Sequence, residues 1–285
     1  MSLSTAATGG PRSRPSGTRE PETAEATAER HGVAAAEDAR AARKTGIRSA
    51  LELVISPVVA LAGVVTARVV MNGDLDDIEA RALATDEVLR RVVQHLDRSV
   101  RAVALIILIA VPLGVVFSRP AFAKVRGGMV SFLTFAQALP PLGVMFLLPS
   151  FMGFGLRTAV TAIVVAAVLP VLRNVLVGLD QVDRSLIEAS RGMGMSDLQT
   201  LLKVELPLAV PVILTGIRVS LVLAVGAAVF GAFINAGGLG YLIDTGQKLA
   251  RDDITLVGAL LVASLALTVD WLSALAQRIL RPRGV

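Results

Sequence analysis

Apolar and polar segments alternate along most of this chain, and several apolar segments are long enough to cross a membrane. A transmembrane helix needs about 20 mostly apolar residues. Six segments approach that length, although the first contains Glu52 and Arg68 near its ends, where long side chains can reach the water. The pattern predicts an all-α, polytopic membrane helical bundle of about six transmembrane helices. The predicted spans cover residues 49–71, 99–118, 128–149, 155–175, 207–235 and 254–275.

The segments outside these spans suggest how the chain is organised. Residues 1–46 are polar and have almost no large apolar side chains, which predicts a disordered tail rather than a folded domain or a cleaved signal. Residues 47–91 are predicted to hold the first span and an external acidic segment. Residues 92–276 contain the other five spans, and residues 277–285 form a basic tail.

The distribution of lysine and arginine predicts the orientation in the membrane. Eighteen of these residues lie in the N-terminal tail, the 119–126 loop, the 173–203 segment and the C-terminal tail, whereas seven lie in the alternate loops. Loops rich in lysine and arginine remain on the cytoplasmic side. Both termini and the long polar segment 176–206 are therefore predicted to be cytoplasmic.

Composition agrees with a membrane protein and argues against several functions. Of the 285 residues, 54% are hydrophobic and 18% are charged, whereas soluble domains average about 45–50% and about 25%. The chain has no cysteine, its two histidines lie outside the apolar runs, and it lacks a Gly-x-x-x-x-Gly-Lys-Ser/Thr phosphate loop. The basic residues flank the spans, as orientation in a membrane requires, so the positive net charge does not indicate nucleic-acid binding. We therefore predict no catalytic, cofactor-binding or metal-binding residues and no nucleic-acid partner.

The polar segment 176–206 has the local signals of two short helices. Asp183 is suited to cap the N-terminus of the first helix. Ser196, followed three residues later by Gln199, predicts a capping box at the start of the second. Pro207 predicts a change of direction at the end of the second helix. A unit this small is expected to pack on the membrane bundle or on a cytoplasmic partner.

This segment resembles the EAA motif of bacterial ABC-importer permeases, which reads Glu-Ala-Ala, a glycine four residues later, and Ile-x-Leu-Pro. The departures are Ser190 for alanine and Val204 for isoleucine, both small changes in volume. In that family the loop inserts a coupling helix into a groove on the ATP-hydrolysing subunit. The resemblance implies an ATPase-coupling site formed by Glu188, Ala189, Ser190, Gly194, Met195 and Pro207.

Flanking segments look like the permeases of osmoprotectant importers, which carry glycine betaine, choline, carnitine and related quaternary amines. These segments are residues 137–143, 169–174, 187–195 and 233–240, and the resemblance covers about 92–276. It implies a type I importer fold, shared with methionine-importer permeases, in a bacterial cell membrane. It also implies a non-catalytic subunit that pairs with a second permease subunit, the same or a related chain. Two ATPase subunits would bind ATP and magnesium, and a substrate-binding protein would dock outside.

Three alternatives differ in their sequence requirements. A permease for methionine or another small solute would share the glycine run 236–240. An ion-coupled secondary transporter would need paired acidic residues at mid-membrane, whereas the predicted spans contain only Glu52 and Asp270, both near span ends. A membrane scaffold without transport activity would leave the EAA spacing unexplained.

Four residues are candidates for the translocation pathway or its gate: Pro140, Arg218, Phe230 and Asn235. An arginine at the centre of a span costs about 2.5–3.5 kcal/mol on insertion scales, so Arg218 is expected to face the bundle interior or water. A structural contact to Asp270 or to a helix C-terminus is an equally good prediction for it. Asp270 itself is predicted to anchor its span at the cytoplasmic surface.

Overall fold

The computed structural model describes residues 54–280, which form helices joined by short turns, with no strand in that range. The predicted tail 1–46 and the beginning of the first span lie outside the described residues. The helices are α1 (Val54–Met71), α2 (Asp77–Ala82), α3 (Thr85–Ser118), α4 (Ala123–Ala138), α5 (Pro141–Leu147), α6 (Pro149–Met152), α7 (Leu156–Asp180), α8 (Arg184–Gly192), α9 (Asp197–Thr200), α10 (Leu206–Ala228), α11 (Gly240–Leu249) and α12 (Asp252–Leu280). A π-helical turn (Leu201–Glu205) and two 3-10 turns (Pro120–Phe122 and Val229–Ile234) connect some of them.

The prediction of an all-α membrane bundle is confirmed. Within residues 54–280, five helical segments are long and apolar enough to cross a membrane: α1, α3, α7, α12 and the continuous segment Asp197–Ile234. A sixth crossing is possible at Pro120–Ala138 and Pro141–Met152, two helices that meet at 89°. The chain thus alternates between two ends of the bundle, here named the loop end (residues 181–205) and the turn end (residues 235–240).

The third predicted span, 128–149, corresponds to two helices that meet at a bend. The chain bends between α4 and α5, where Leu139 and Pro140 have extended ψ angles of 132° and 127°. Each of these residues precedes a proline, whose ring disfavours a helical conformation in the residue before it. The adjacent prolines therefore end one helix and begin another in a new direction.

The second predicted span, 99–118, forms the later part of a longer helix. Helix α3 has 34 residues, which at 1.5 Å per residue is about 51 Å and exceeds the bilayer core of about 30 Å. The predicted acidic segment is therefore made of α2 and the first turns of α3. A capping box of Asp76 and Glu79 starts α2.

Helix α7 lies at the centre of the bundle, between α3 and α10. Small residues permit this close packing: a β-carbon at Gly216 of α10 would lie 2.7 Å from the carbonyl oxygen of Pro170 in α7. Pro170 also leaves the Ala166 carbonyl without its usual helical donor. The amide of Gln137 in α4 donates to that oxygen at 3.3 Å, which joins α4 to the core.

Helix α1 packs on α12 at a glycine. A β-carbon at Gly63 would collide with the side-chain oxygen of Ser264 in α12. At the turn end, the Arg68 guanidinium donates to the Thr85 hydroxyl at 2.9 Å. The opposite side of α1 exposes a row of valine, isoleucine and leucine side chains, which suits contact with lipid.

Candidate coupling loop and pathway residues

The first helix of the loop, α8, begins as the sequence predicts. The Asp183 carboxylate accepts a hydrogen bond of 2.8 Å from the Ser185 backbone N–H. Hydrogen bonds from the backbone and side chain of Ser185 lower the pKa of Asp183 below its ordinary value. The carboxylate therefore stays charged at neutral pH. It accepts a hydrogen bond from a backbone N–H that has no partner within the helix, and its negative charge interacts favourably with the positive end of the helix dipole.

Gly194 allows the chain to leave α8 and begin α9. Its φ of +83° lies in the left-handed region, where glycine has no steric penalty. The Met195 N–H donates back to the Ser190 carbonyl at 3.1 Å, as in a Schellman motif. Helix α9 then starts with the predicted capping box, in which Ser196 and Gln199 exchange two hydrogen bonds of 3.0 and 3.3 Å.

Ser190 lies inside the loop. Its side chain is 1% exposed, donates to the Ile187 carbonyl at 2.7 Å and shares a 3.1 Å hydrogen bond with the Thr200 hydroxyl. Ser190 thus joins α8 to α9 and adds nothing to the outer surface of the loop. Of the other predicted coupling residues, Met195 is half-buried and four are exposed: Glu188, Ala189, Gly194 and Pro207.

This position provides a prediction about loop stability. Ser190→Ala removes both hydrogen bonds of the hydroxyl and should cost about 1–3 kcal/mol, at about 0.5–1.5 kcal/mol for each bond. Ser190→Leu must place a larger side chain between α8 and α9, which should cost about 1–3 kcal/mol in overpacking beyond the lost bonds. Melting temperatures of the purified protein in detergent would compare the two. Equal melting temperatures for the two variants would contradict the close α8–α9 packing.

The exposed surface of the loop carries several large apolar side chains among charged and polar ones. Leu186, Met193, Leu198 and Leu202 are all exposed large side chains within this short segment. A group of exposed apolar residues rimmed by polar residues is typical of a protein-binding surface. Glu188 lies at one side of this surface and lines a cleft of about 400 Å³ between the loop and the end of α3.

The predicted change of direction at Pro207 is wrong. The helix continues from α9 through the π-helical turn into α10, as one segment of 38 residues. Pro207 lacks the N–H that would continue the α-helical ladder. In the preceding turn the Leu206 N–H donates five residues back, to the Leu201 carbonyl. The local shift to a π-helical turn therefore accommodates the proline without a break.

An ion pair joins this turn to α3. Glu205 is 5% exposed, and its carboxylate accepts two hydrogen bonds, of 2.6 and 3.2 Å, from the Arg119 guanidinium. Sequence reasoning assigned Arg119 to a basic loop and did not single out Glu205. The signal was present, because a carboxylate at the edge of an apolar span needs a partner.

Arg218 forms the contact to Asp270 that was one of its two predicted roles. Its guanidinium donates to both carboxylate oxygens of Asp270, at 2.6 and 2.7 Å, and so joins α10 to α12. The role of Asp270 as an anchor at the membrane surface stays a prediction. The carboxylate faces a neighbouring helix, because the arginine needs a counter-charge within the bundle.

The other pathway candidates lie apart from Arg218, where two interrupted helices meet. Phe230, in the 3-10 turn after α10, packs against a core cluster that contains Val144 and Met145 of α5. Pro140 is exposed at the bend before α5, and Asn235 is exposed with a left-handed φ of 58°. The structure therefore separates Arg218 from the other three candidates.

The glycine-rich turn 235–240 is fastened to α3. The Gln94 side chain accepts a 3.1 Å hydrogen bond from the Gly238 N–H. The His95 Nδ1 accepts from the Leu239 N–H at 3.3 Å, which leaves the proton on Nε2 to donate to the Val225 carbonyl at 2.9 Å. Sequence reasoning missed both side chains, since nothing local to residues 94 and 95 indicates a partner more than 100 residues away.

Known proteins resemble this chain over most of its described length. Residues 110–283 match the family described as "Binding-protein-dependent transport system inner membrane component". A choline transport system permease protein of Bacillus subtilis is 38% identical over 199 residues, which are 70% of this chain and 91% of that protein. A carnitine transport permease protein of Listeria monocytogenes is 40% identical over 193 residues, or 67% of this chain and 87% of that protein. An osmoprotectant import permease protein of Salmonella typhimurium is 39% identical over 196 residues, or 67% of this chain and 91% of that protein.

A solved structure supports the fold. An inward-facing conformation of the MetNI methionine ABC transporter superposes with a TM-score of 0.60 over 68% of this chain and 95% of that chain, at 24% sequence identity. At this identity the likeness concerns the fold alone. With the family match and the curated relatives, it establishes that the chain belongs to the binding-protein-dependent inner membrane components, the permease subunits of ABC importers.

Proposed function

We propose that this chain imports osmoprotectants of the glycine betaine and choline type, as the permease subunit of an ATP-driven complex. The observation that carries the proposal is the 38–40% identity to permeases named for choline, carnitine and osmoprotectants, over 87–91% of those proteins. The complex would contain a second permease subunit, a substrate-binding protein outside the membrane, and ATPase subunits that bind ATP and magnesium. The chain itself would carry out no covalent chemistry.

The loop 181–205 is the proposed contact with the ATPase. On its exposed side, Ala189 has only a methyl group and Gly194 has no side chain, which allows a partner to approach the backbone closely. Glu188 can accept hydrogen bonds at the rim of the cleft, and the exposed leucines and Met193 offer apolar contact area. Met195 and Pro207 would shape the loop, and Ser190 would hold its two helices together. The lysine and arginine distribution favours a cytoplasmic position for this end and for both termini.

The proposed gate lies where the α4–α5 bend meets the 3-10 turn that ends α10. Interrupted helices at membrane depth are tolerated where they pack against protein or line a water-filled cavity. Pro140, Phe230 and Asn235 lie at these two interruptions. Arg218 is proposed to hold α10 on α12, because both carboxylate oxygens of Asp270 already accept hydrogen bonds from it.

Import of methionine is the second candidate, because the glycine run 236–240 resembles that of methionine-importer permeases. Solute choice can be tested on the binding protein that co-purifies with the tagged permease from native membranes. We expect this protein to bind choline or glycine betaine and not methionine. Methionine binding would replace the proposed solute, and recovery of neither an ATPase nor a binding protein from a folded sample would contradict the importer assignment.

The coupling site is tested by reversing the charge of Glu188. Glu188→Arg should reduce choline uptake to background and reduce co-purification of the ATPase, while the amount of permease in the membrane stays unchanged. The matched control is Asp74→Arg, an exposed carboxylate beside α2 at the opposite end of the bundle, which should leave ATPase binding unchanged. Full uptake by Glu188→Arg would place the coupling contact elsewhere.

A further inference from the structure

Helices α3 and α10 are joined at the loop end by an ion pair between the partly exposed Arg119 and the buried Glu205. The Arg119–Glu205 pair is bidentate, and Glu205 belongs to the turn that leads directly from the loop into α10. A two-bond guanidinium–carboxylate contact fixes orientation as well as distance. The last turn of α3 therefore cannot rotate or slide against α10 without breaking both bonds.

The same two helices are joined again at the turn end. His95 of α3 is fully buried, and its Nε2 donates to the carbonyl of Val225, near the end of α10. Its Nδ1 and the neighbouring Gln94 oxygen accept from two consecutive backbone N–H groups of the turn that follows α10. A buried backbone group left without a partner costs as much as a lost hydrogen bond. These ties therefore resist separation.

The contacts at the two ends are separated by about the thickness of the hydrocarbon core of a bilayer. Glu205 and Val225 are 20 residues apart along one helical segment, which corresponds to about 30 Å. Beside the contact at the turn end, Ala102 and Val103 of α3 share one buried cluster with Ala224 and Ala228 of α10, so the two helices pack closely there. Glycine is favoured in the turn beside the His95 contact, since Gly238 has a left-handed φ of +89° and a β-carbon there would lie 3.2 Å from the His95 Nδ1.

We propose that α3 and α10 form a single strut that carries the displacement of the coupling loop to the turn at the other face. The segment Asp197–Ile234 begins in the loop and ends at the turn, and α3 stiffens it at both ends. His95, Gln94, Arg119 and Glu205 are thus positioning residues for transport. This inference rests on the proposed coupling of the loop to an ATPase.

The contact at the turn end, formed by His95 and Gln94, is tested in proteoliposomes that contain the whole complex. The quantity measured is the number of choline molecules imported per ATP hydrolysed. His95→Leu removes both histidine bonds and should lower this ratio about tenfold, with basal ATP hydrolysis unchanged, because the loop end is untouched. His95→Asn keeps an acceptor near Nδ1 and His95→Gln keeps a donor near Nε2, so each should recover part of the ratio. A purely structural role would instead lower uptake and hydrolysis together, which would overturn the proposal.

The ion pair at the loop end, between Arg119 and Glu205, is tested by exchanging its charges. Arg119→Glu and Glu205→Arg should each lower the ratio, and the double variant Arg119→Glu/Glu205→Arg should restore most of it, because the opposite charges again face each other. A double variant that is no better than its parents, although folded, would show that the pair does not act as a tie.

A distance measurement tests the strut without disturbing its contacts. The chain has no cysteine of its own. Spin labels can therefore be attached to cysteines introduced at only two positions, Val100 of α3 and Val219 of α10, which are both exposed. The labelled chain is diluted with unlabelled chain. The distance between the labels should stay the same in the nucleotide-free and the ATP-trapped complex. A shift on trapping would overturn the strut. Absence of choline uptake by the unsubstituted complex would contradict only the proposed solute.

Discussion

Replacing Arg218 by alanine is expected to destabilise the folded protein by about 1.5–3 kcal/mol, the range for hydrogen bonds to charged groups. Asp270 would lose its two hydrogen bonds of 2.6 and 2.7 Å while it remains between α10 and α12. A half-buried carboxylate that loses its counter-charge within a membrane bundle is costly. The yield and melting temperature of the purified protein should therefore fall sharply.

The ion pair can be separated from simple loss of packing by further variants. Arg218→Ala/Asp270→Ala removes both charges and should be more stable than Arg218→Ala alone. The matched control is Arg101→Ala, since Arg101 forms an exposed pair with Asp97 on α3, where pairs contribute about 0.2–1 kcal/mol. Equal melting temperatures for Arg218→Ala and Arg101→Ala would contradict the importance of the α10–α12 contact.

Gly240→Ala is expected to prevent stable folding of the turn end. An added β-carbon would overlap the Val229 carbonyl oxygen and lie 2.7 Å from its carbonyl carbon. Backbone cannot move aside as a flexible side chain can. Overpacking at such a site should cost about 3 kcal/mol or more, the upper end of measured values.

A second glycine of the same region provides the control. Gly226 lies in α10, and a β-carbon there would have no neighbour within 4 Å. Gly226→Ala should be neutral or stabilise the helix by up to about 1 kcal/mol, because alanine has the higher helix propensity. Thermal unfolding of both variants checks the prediction, and a Gly240→Ala protein as stable as Gly226→Ala would refute the close backbone contact.

Local chemistry determined what could be predicted from the sequence. The caps at Asp183 and Ser196 were predictable because a side chain there bonds to a backbone N–H only two or three residues away. The spans were predictable as apolar runs, although α3 extends beyond its run because amphipathic turns continue the same helix. Pro207 misled the prediction, since a π-helical turn can absorb a proline that would interrupt a regular α-helix.

Most contacts between distant segments were not predictable. His95 and Val225 are 130 residues apart and leave no periodic or local signal. The contact between Arg218 and Asp270, which are 52 residues apart, was one of two predicted roles because both charges lie within predicted spans. The sequence indicated that Arg218 needed a partner but not which of two roles it had. Ser190 resembled a surface residue of its motif, whereas tertiary packing placed it between α8 and α9.

The extension of α3 beyond the bilayer has a thermodynamic consequence for any soluble protein that docks at the turn end. This surface is ordered in advance: Asp76, which caps α2, forms a 2.7 Å ion pair with Arg251, and Arg91 lies over the ring of Tyr241. Association with flexible loops loses conformational entropy as each side chain is immobilised. A protein that docks at this surface would therefore meet side chains that are already held in place, and little of the binding free energy would be lost to ordering the permease.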